Sequence, residues 1–198
     1  MNDNFAPLPL RQLVNMIFSD QKGQSILGIP LELFFSPKSY KHLKTEMFGQ
    51  HLATPLGVAA GPHSQLAQNI IAAWLCGARY IELKTVQTLD ELTISKPCID
   101  MQDEGYNCEW SQELKIEASF NEYLKAWILI HLLSHKFGYG SNPETIFNMS
   151  VGYNYQGICK DNVQWFLNKM NDCSAEKEAM VAELAAWYPE IKDIEIPS

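Results

Sequence analysis

The stretch Thr54-Pro55-Leu56-Gly57-Val58-Ala59-Ala60-Gly61-Pro62-His63 and its echo Ile81-Glu82-Leu83-Lys84-Thr85-Val86 restrict the fold more than any other part of the chain. Each is a short apolar run that stops at small or polar residues. Between them Leu66, Ile70, Trp74 and Leu75 recur at helical spacing. A strand, a helix and a second strand in that order make a βαβ unit with parallel strands. In α/β folds ligands gather at the carboxyl ends of the strands. Small residues there let a flat ligand approach the backbone closely. A lysine at the end of the next parallel strand points into the same mouth. An ordinary βαβ core with a tight Gly-Pro turn and a solvated lysine fits the same spacing, and a lysine so placed also suits general-base or Schiff-base chemistry.

Length sets the second limit. A complete (β/α)8 barrel needs roughly 250 residues, and this chain has 198. Four segments read as parallel strands: 56–60, 80–86, 145–151 and 191–196. That is about half a barrel, which points to a truncated reading frame or a fragment. Hydrophobic residues make up 46% and charged residues 19%, the balance of a globular chain. The net charge of -8 comes without a basic patch, which argues against nucleic acid as a partner. The apolar run from Ala126 to Leu133 is broken by His131 and is too short to span a bilayer. The amino terminus has no positive region of the secretory kind. Five cysteines, none in a Cys-x-x-Cys pair, suit a reducing cytoplasm.

Residues 1–50 read as a prelude and 51–198 as the partial barrel. Leu10, Leu13, Val14, Ile17 and Phe18 predict a helix over 9–20. Met47-Phe48-Gly49 and His51-Leu52 suggest a hairpin closing the barrel bottom. Ser64 suits the N-cap of a helix over 65–76, and Gly77 suits its C′ position. His63, above the first strand, reads as a turn residue bonding locally, with ligand contact as the alternative. Glu82 and Lys84 alternate with Ile81, Leu83 and the following Val86, so either that pair faces the barrel interior or the whole strand faces apolar neighbours with the charges at its ends. A Lys84–Glu82 ion pair is a purely structural reading of that face.

Residues 88–118 form a long connection, and such loops are usually functional. Cys98 and Cys108 in it read as free thiols, and Asp100, Asp103 and Glu104 as a solvated acidic face. Ser119-Phe120-Asn121-Glu122 is a capping box that opens a helix to about Phe137. His131 and His135 have the spacing of a zinc pair, but no third ligand is evident, so no metal is expected. Asn148 or Ser150 would reach the barrel mouth from the third strand, with plain interior packing as the alternative. Asp161 caps a helix to about Asn171, and Ser174 opens another to about Tyr188 that buries Met180, Val181, Leu184 and Trp187.

The run Thr54 to Gly61 resembles the first strand of the dihydroorotate and dihydropyrimidine dehydrogenase family, a flavin-binding TIM barrel. Gly77 to Asp90, with Lys84-Thr85 followed by Leu89-Asp90, is similar to that family's second strand. Gly105 to Leu114 and Asn148 to Asn154 resemble it as well, most of all its long iron–sulfur flavoproteins described as selenate reductase subunits. The resemblance implies an α/β fold, the N-terminal half of a (β/α)8 barrel with flanking helices. It implies an FMN-dependent oxidoreductase that passes electrons to iron–sulfur centres. Ala59, Ala60, Gly61, Lys84 and Thr85 would line the flavin, with Lys84 at its electron-rich edge. Asn107, with Ser111 and Gln112 nearby, would bind a small-molecule substrate. Iron–sulfur clusters, FAD and NAD(P)H would sit in a longer parent protein, which would also supply the missing barrel half or an electron-transfer partner. The family's general acid or base follows its fourth strand and is not encoded here, so no catalytic residue is assigned. The competing expectation is a half-barrel without catalysis of its own.

Overall fold

The computed structural model describes residues 7–18, 24–86, 88, 99–100, 106–107, 114–151 and 153–198, and only the backbone of 99–100, 106–107 and Ser150. Helix α1 spans Leu10–Phe18 and buries Leu10, Leu13, Val14 and Ile17, the face its periodicity predicts. Strands β1 (Ser25–Ile26) and β2 (Ile29–Pro30) make a minimal hairpin. Strands β3 (Thr45–Met47) and β4 (Gln50–Leu52) make the second, expected one. Its turn residues Phe48 and Gly49 have φ of 54° and 73°. A two-residue turn with both angles positive matches the twist of the strands it joins.

A parallel sheet follows. Strand β5 (Gly57–Val58) pairs with β6 (Tyr80–Val86), and helix α2 (Ala67–Leu75) connects them. Beyond β6, the short antiparallel pair β7 (Ile99–Asp100) and β8 (Tyr106–Asn107) lies in the long connection. Helix α3 (Ile116–Lys136) then leads to β9 (Ile146–Val151), which pairs in parallel with β6. The order β5-β6-β9 is that of successive barrel strands, and among the described residues the barrel is not closed. Ile81, Leu83 and Val86 of β6 are buried in one core with α2 and α3. Burial of side chains of this size contributes about 1.5–3 kcal/mol each.

Several expectations are corrected. The first strand is two residues long and does not cover 56–60. Its ladder stops because the Ala60 N–H donates to a side chain, Glu82 Oε2, at 3.1 Å. Gly57 permits the close pairing that remains, since a Cβ there would stand 2.9 Å from the Tyr80 carbonyl oxygen. Ser64 does not cap α2. It lies in a 3-10 turn, Pro62–Gln65, and its hydroxyl bonds back to Gly61 N–H at 3.1 Å and Gly61 C=O at 3.2 Å. Gly77 does end α2 with a φ of +110°.

Helix α3 begins three residues before the supposed capping box, at Ile116, so Ser119 lies inside it. Glu122 reaches away from its own helix and accepts the Ala67 N–H of α2 at 2.8 Å. Helices α4 (Tyr155–Ile158), α5 (Asp161–Asn171) and α6 (Ser174–Ala185) complete the described elements. Lys160 is the N-cap residue of α5, and Asp161 is its first-turn acid. Leu184 is buried, but Trp187 is exposed beneath the Arg11 guanidinium, 5.6 Å from its ring centre.

The expected fourth strand is absent among the described residues. Residues Pro189–Asp193 form a 3-10 turn and Ile194–Ile196 an unpaired extended segment. Ile191, Ile194 and Ile196 are buried in the core, so their apolar character is satisfied without a ladder. The Ile196 carbonyl accepts from Lys177 Nζ at 2.8 Å, and the Pro197 carbonyl accepts from Trp127 Nε1 at 3.1 Å. Side chains have taken the acceptors a neighbouring strand would use.

Candidate functional site

The face of the sheet turned away from α2 and α3 carries the polar residues. Alternation along β6 puts Glu82 and Lys84 on that face, both partly exposed, while Ile81 and Leu83 go to the core. Parallel register sets Asn148 of β9 beside Glu82. Ser150 follows two residues on, at the strand's carboxyl end, and Gly152 lies outside the described residues.

Three exits therefore converge: Ala59 to Gly61 after β5, Lys84 and Thr85 at the end of β6, and the last residues of β9. Ala59 is exposed and Ala60 partly so, which leaves their backbone open to a ligand. The Glu82 carboxylate holds the Ala60 amide and so shapes this floor. The Lys84 ammonium donates to the Thr85 carbonyl at 3.1 Å, folding back over the strand end. The Tyr123 hydroxyl of α3, on a buried ring, donates to the Lys84 carbonyl at 2.8 Å and fixes that end of β6. The Gln65 side-chain carbonyl accepts from Leu114 N–H at 2.8 Å, tying the end of the long connection to the turn above β5.

Gly61 departs from the expected arrangement. It is buried, and a Cβ on it would stand 2.8 Å from the His63 ring. The imidazole therefore covers Gly61 and is itself exposed, as a turn residue at the rim. Asn107 lies in β8, paired in register with Ile99, and its side chain is outside the described residues. Ser111, Gln112, Cys98, Cys108, Asp103 and Glu104 also lie outside them. The roles of Glu82 and Tyr123 were not read from the sequence. The signal for Glu82 was its place two residues from Lys84 on one strand face; nothing local marks Tyr123.

The two histidines of α3 meet no third metal-ligating side chain among the described residues. His131 is buried, its Nδ1–H donates to the Trp127 carbonyl at 2.9 Å, and its ring lies 4.5 Å from that of Trp127. Burial lowers its pKa from the ordinary 6.5. Among the described residues no group of three or more metal-ligating side chains comes together. No described helix is long and apolar enough to cross a membrane.

Residues 27–195 match the family described as "Oxidoreductase YgfK, N-terminal TIM-barrel domain". Two curated relatives, each described as "Putative oxidoreductase YgfK", come from Escherichia coli strain K12 and from Escherichia coli O157:H7. Each is 49% identical over 176 residues, which is 88% of this chain and 17% of the relative. The chain thus spans about a sixth of the length of the curated relatives it matches. With a helix-backed parallel sheet in barrel order and a match of this extent, the chain belongs to the family of the N-terminal TIM-barrel domain of the oxidoreductase YgfK.

Proposed function

We propose that the open face at the ends of β5, β6 and β9 holds FMN, as part of a longer oxidoreductase of the dihydropyrimidine/dihydroorotate dehydrogenase type. The observation that carries this reading is that the strand ends bearing Ala59, Ala60, Lys84 and Thr85 lie side by side, with Lys84 on the face away from the core. The donor set suits the group. A flat ring needs small neighbours along the backbone, and its electron-rich edge needs a cation beside it. FMN, when bound, supplies the acceptor and donor of hydride. Lys84 would set its ammonium against the ring's electron-rich edge and stabilise negative charge there. Thr85 would offer a hydroxyl to the ring or its side chain. Glu82 keeps the Ala60 backbone in place as the floor. Gly61, covered by His63, would require that imidazole to move before it could touch the ring.

Asn107 is proposed as the substrate contact on the resemblance alone. The small-molecule substrate, the iron–sulfur clusters, FAD and NAD(P)H belong to the longer protein in this reading. So does any activity of the selenate reductase kind. The described cysteines, Cys76, Cys159 and Cys173, are all free thiols, in keeping with a cytoplasmic setting.

The test is the visible spectrum of the purified chain, with and without added FMN, after desalting. Retained flavin bands that disappear in Lys84→Ala support the reading. Unchanged flavin content and spectrum on Lys84→Ala in the full-length protein would overturn it. A second reading rests on a different observation: among the described residues, β5 and β9 each lack a neighbour on one side. On that reading the chain is a non-catalytic half-barrel completed by further strands, from the same longer chain or a partner.

A further inference from the structure

A second concavity lies at the opposite end of the sheet, before the amino end of β9. A six-residue strand separates it from the mouth, a span of about 20 Å. Lys38, Lys41, Lys44, His51, Asn142 and Glu144 are among its walls, and its volume is about 690 Å³. That is the size of a small-ligand site. The whole chain carries 15 basic and 23 acidic residues. Here three lysines meet a single carboxylate, so the local sign is reversed.

The cavity wall is built and not merely a spread of solvated side chains. Lys44 pairs with Glu144. The Glu144 carbonyl accepts from Ala53 N–H at 3.1 Å, and its own N–H donates to Asn142 Oδ1 at 2.8 Å. Tyr40 stacks on Phe35 with ring centres 5.5 Å apart, which anchors the segment bearing Lys38 and Lys41. The Glu144 carboxylate is thus already engaged, and Glu46 stands opposite His51 in the β3–β4 register. Among the described residues no acidic group lies within ion-pair distance of Lys38 or Lys41. Like charges gathered around one concavity repel each other, and the field they focus there is relieved by an anion.

We propose that this cavity binds a small polyanion, a molecule with two or more phosphate or carboxylate groups, through Lys38, Lys41 and His51. The Lys44–Glu144 pair forms its fixed wall. Ammonium groups on flexible stems bind such clustered charge as point charges, without the fork geometry of arginine.

Inorganic pyrophosphate is the probe, titrated into the full chain by calorimetry at about 0.15 M salt, where long-range attraction is largely screened. Saturable binding is expected. The double variant Lys38→Glu/Lys41→Glu should weaken it by about ten-fold or more, as removal of a focused field does. The control Lys160→Glu/Lys192→Glu, with equal charge change elsewhere, should leave it unaltered. The single variants Lys38→Ala and Lys41→Ala, checked for folding by circular dichroism, should each weaken binding and serve if the double variant fails to fold. Equal weakening in the control, or no saturation in the unaltered chain, would overturn the proposal. So would tight binding of a glutamate-rich peptide with none of pyrophosphate, which would assign the surface to an acidic protein segment.

Discussion

Phe48 shows how a single residue can oppose its own backbone. It has a φ of 54° and its ring is 75% exposed, so it carries strain and buries little. The turn it shares with Gly49 favours asparagine at this place, because asparagine tolerates the left-handed region. Phe48→Asn is therefore expected to stabilise the chain by about 0.5–1 kcal/mol, read as a higher denaturant midpoint. His131 is the opposite case, a titratable group well served by its surroundings while neutral. Burial lowers its pKa in the folded state, and the unfolded chain keeps the ordinary 6.5. As the pH falls through that value the unfolded chain takes up the proton first. Stability present above about pH 6.5 is then lost as the pH drops toward the lowered folded value. The denaturant midpoint should fall between about pH 7.5 and 5.5, and His131→Gln should flatten that slope. An unchanged slope in the variant would show that other groups govern the pH response.

At the scale of elements, the junction of α1, α2 and α3 depends on one buried pair. Glu122 caps the first N–H of α2, pairs with Lys125, and Lys125 Nζ donates to the Leu8 carbonyl at 2.8 Å just before α1. Leu66, at the N-cap of α2, has no side-chain acceptor to offer. Glu122→Ala would leave both the Ala67 amide and the Lys125 charge buried without their partner. Its expected cost is about 3–5 kcal/mol. Glu122→Gln keeps an acceptor for the amide and should lose less. Equal losses in the two variants would mean that the cap matters little and the charge is the whole effect.

Over the whole molecule, the open edges dominate. Gly57 is exposed on β5, and Leu56 beside it is 55% exposed, an apolar side chain on a sheet edge that has no partner strand among the described residues. Such edges template pairing between chains. The isolated chain should gain apparent mass with concentration in size-exclusion chromatography with light scattering, and Leu56→Lys should reduce that gain. A monomer at every concentration would count against the half-barrel reading and leave the flavin reading untouched.

The sequence by itself determined the elements whose causes are local. Alternation along Tyr80–Val86 marked β6, and the spacing of Leu10, Leu13, Val14 and Ile17 marked α1. Gly77 announced a positive φ at the end of α2, where a residue without a Cβ is comfortable. Lys84 was legible near the carboxyl end of its strand because the apolar run and its polar stop fix where that strand ends. Tertiary structure decided what depended on distant partners. Ser64 and Glu122 were both recognisable capping residues, yet one closes a 3-10 turn on Gly61 and the other caps a different helix. Ile191, Ile194 and Ile196 had the character of a strand. A short apolar run states only that it will be buried, and Lys177 and Trp127, far off in the chain, took the carbonyls a ladder needs. The floor of the candidate site was settled the same way, when a carboxylate on β6 captured the amide of Ala60 and ended β5 at Val58.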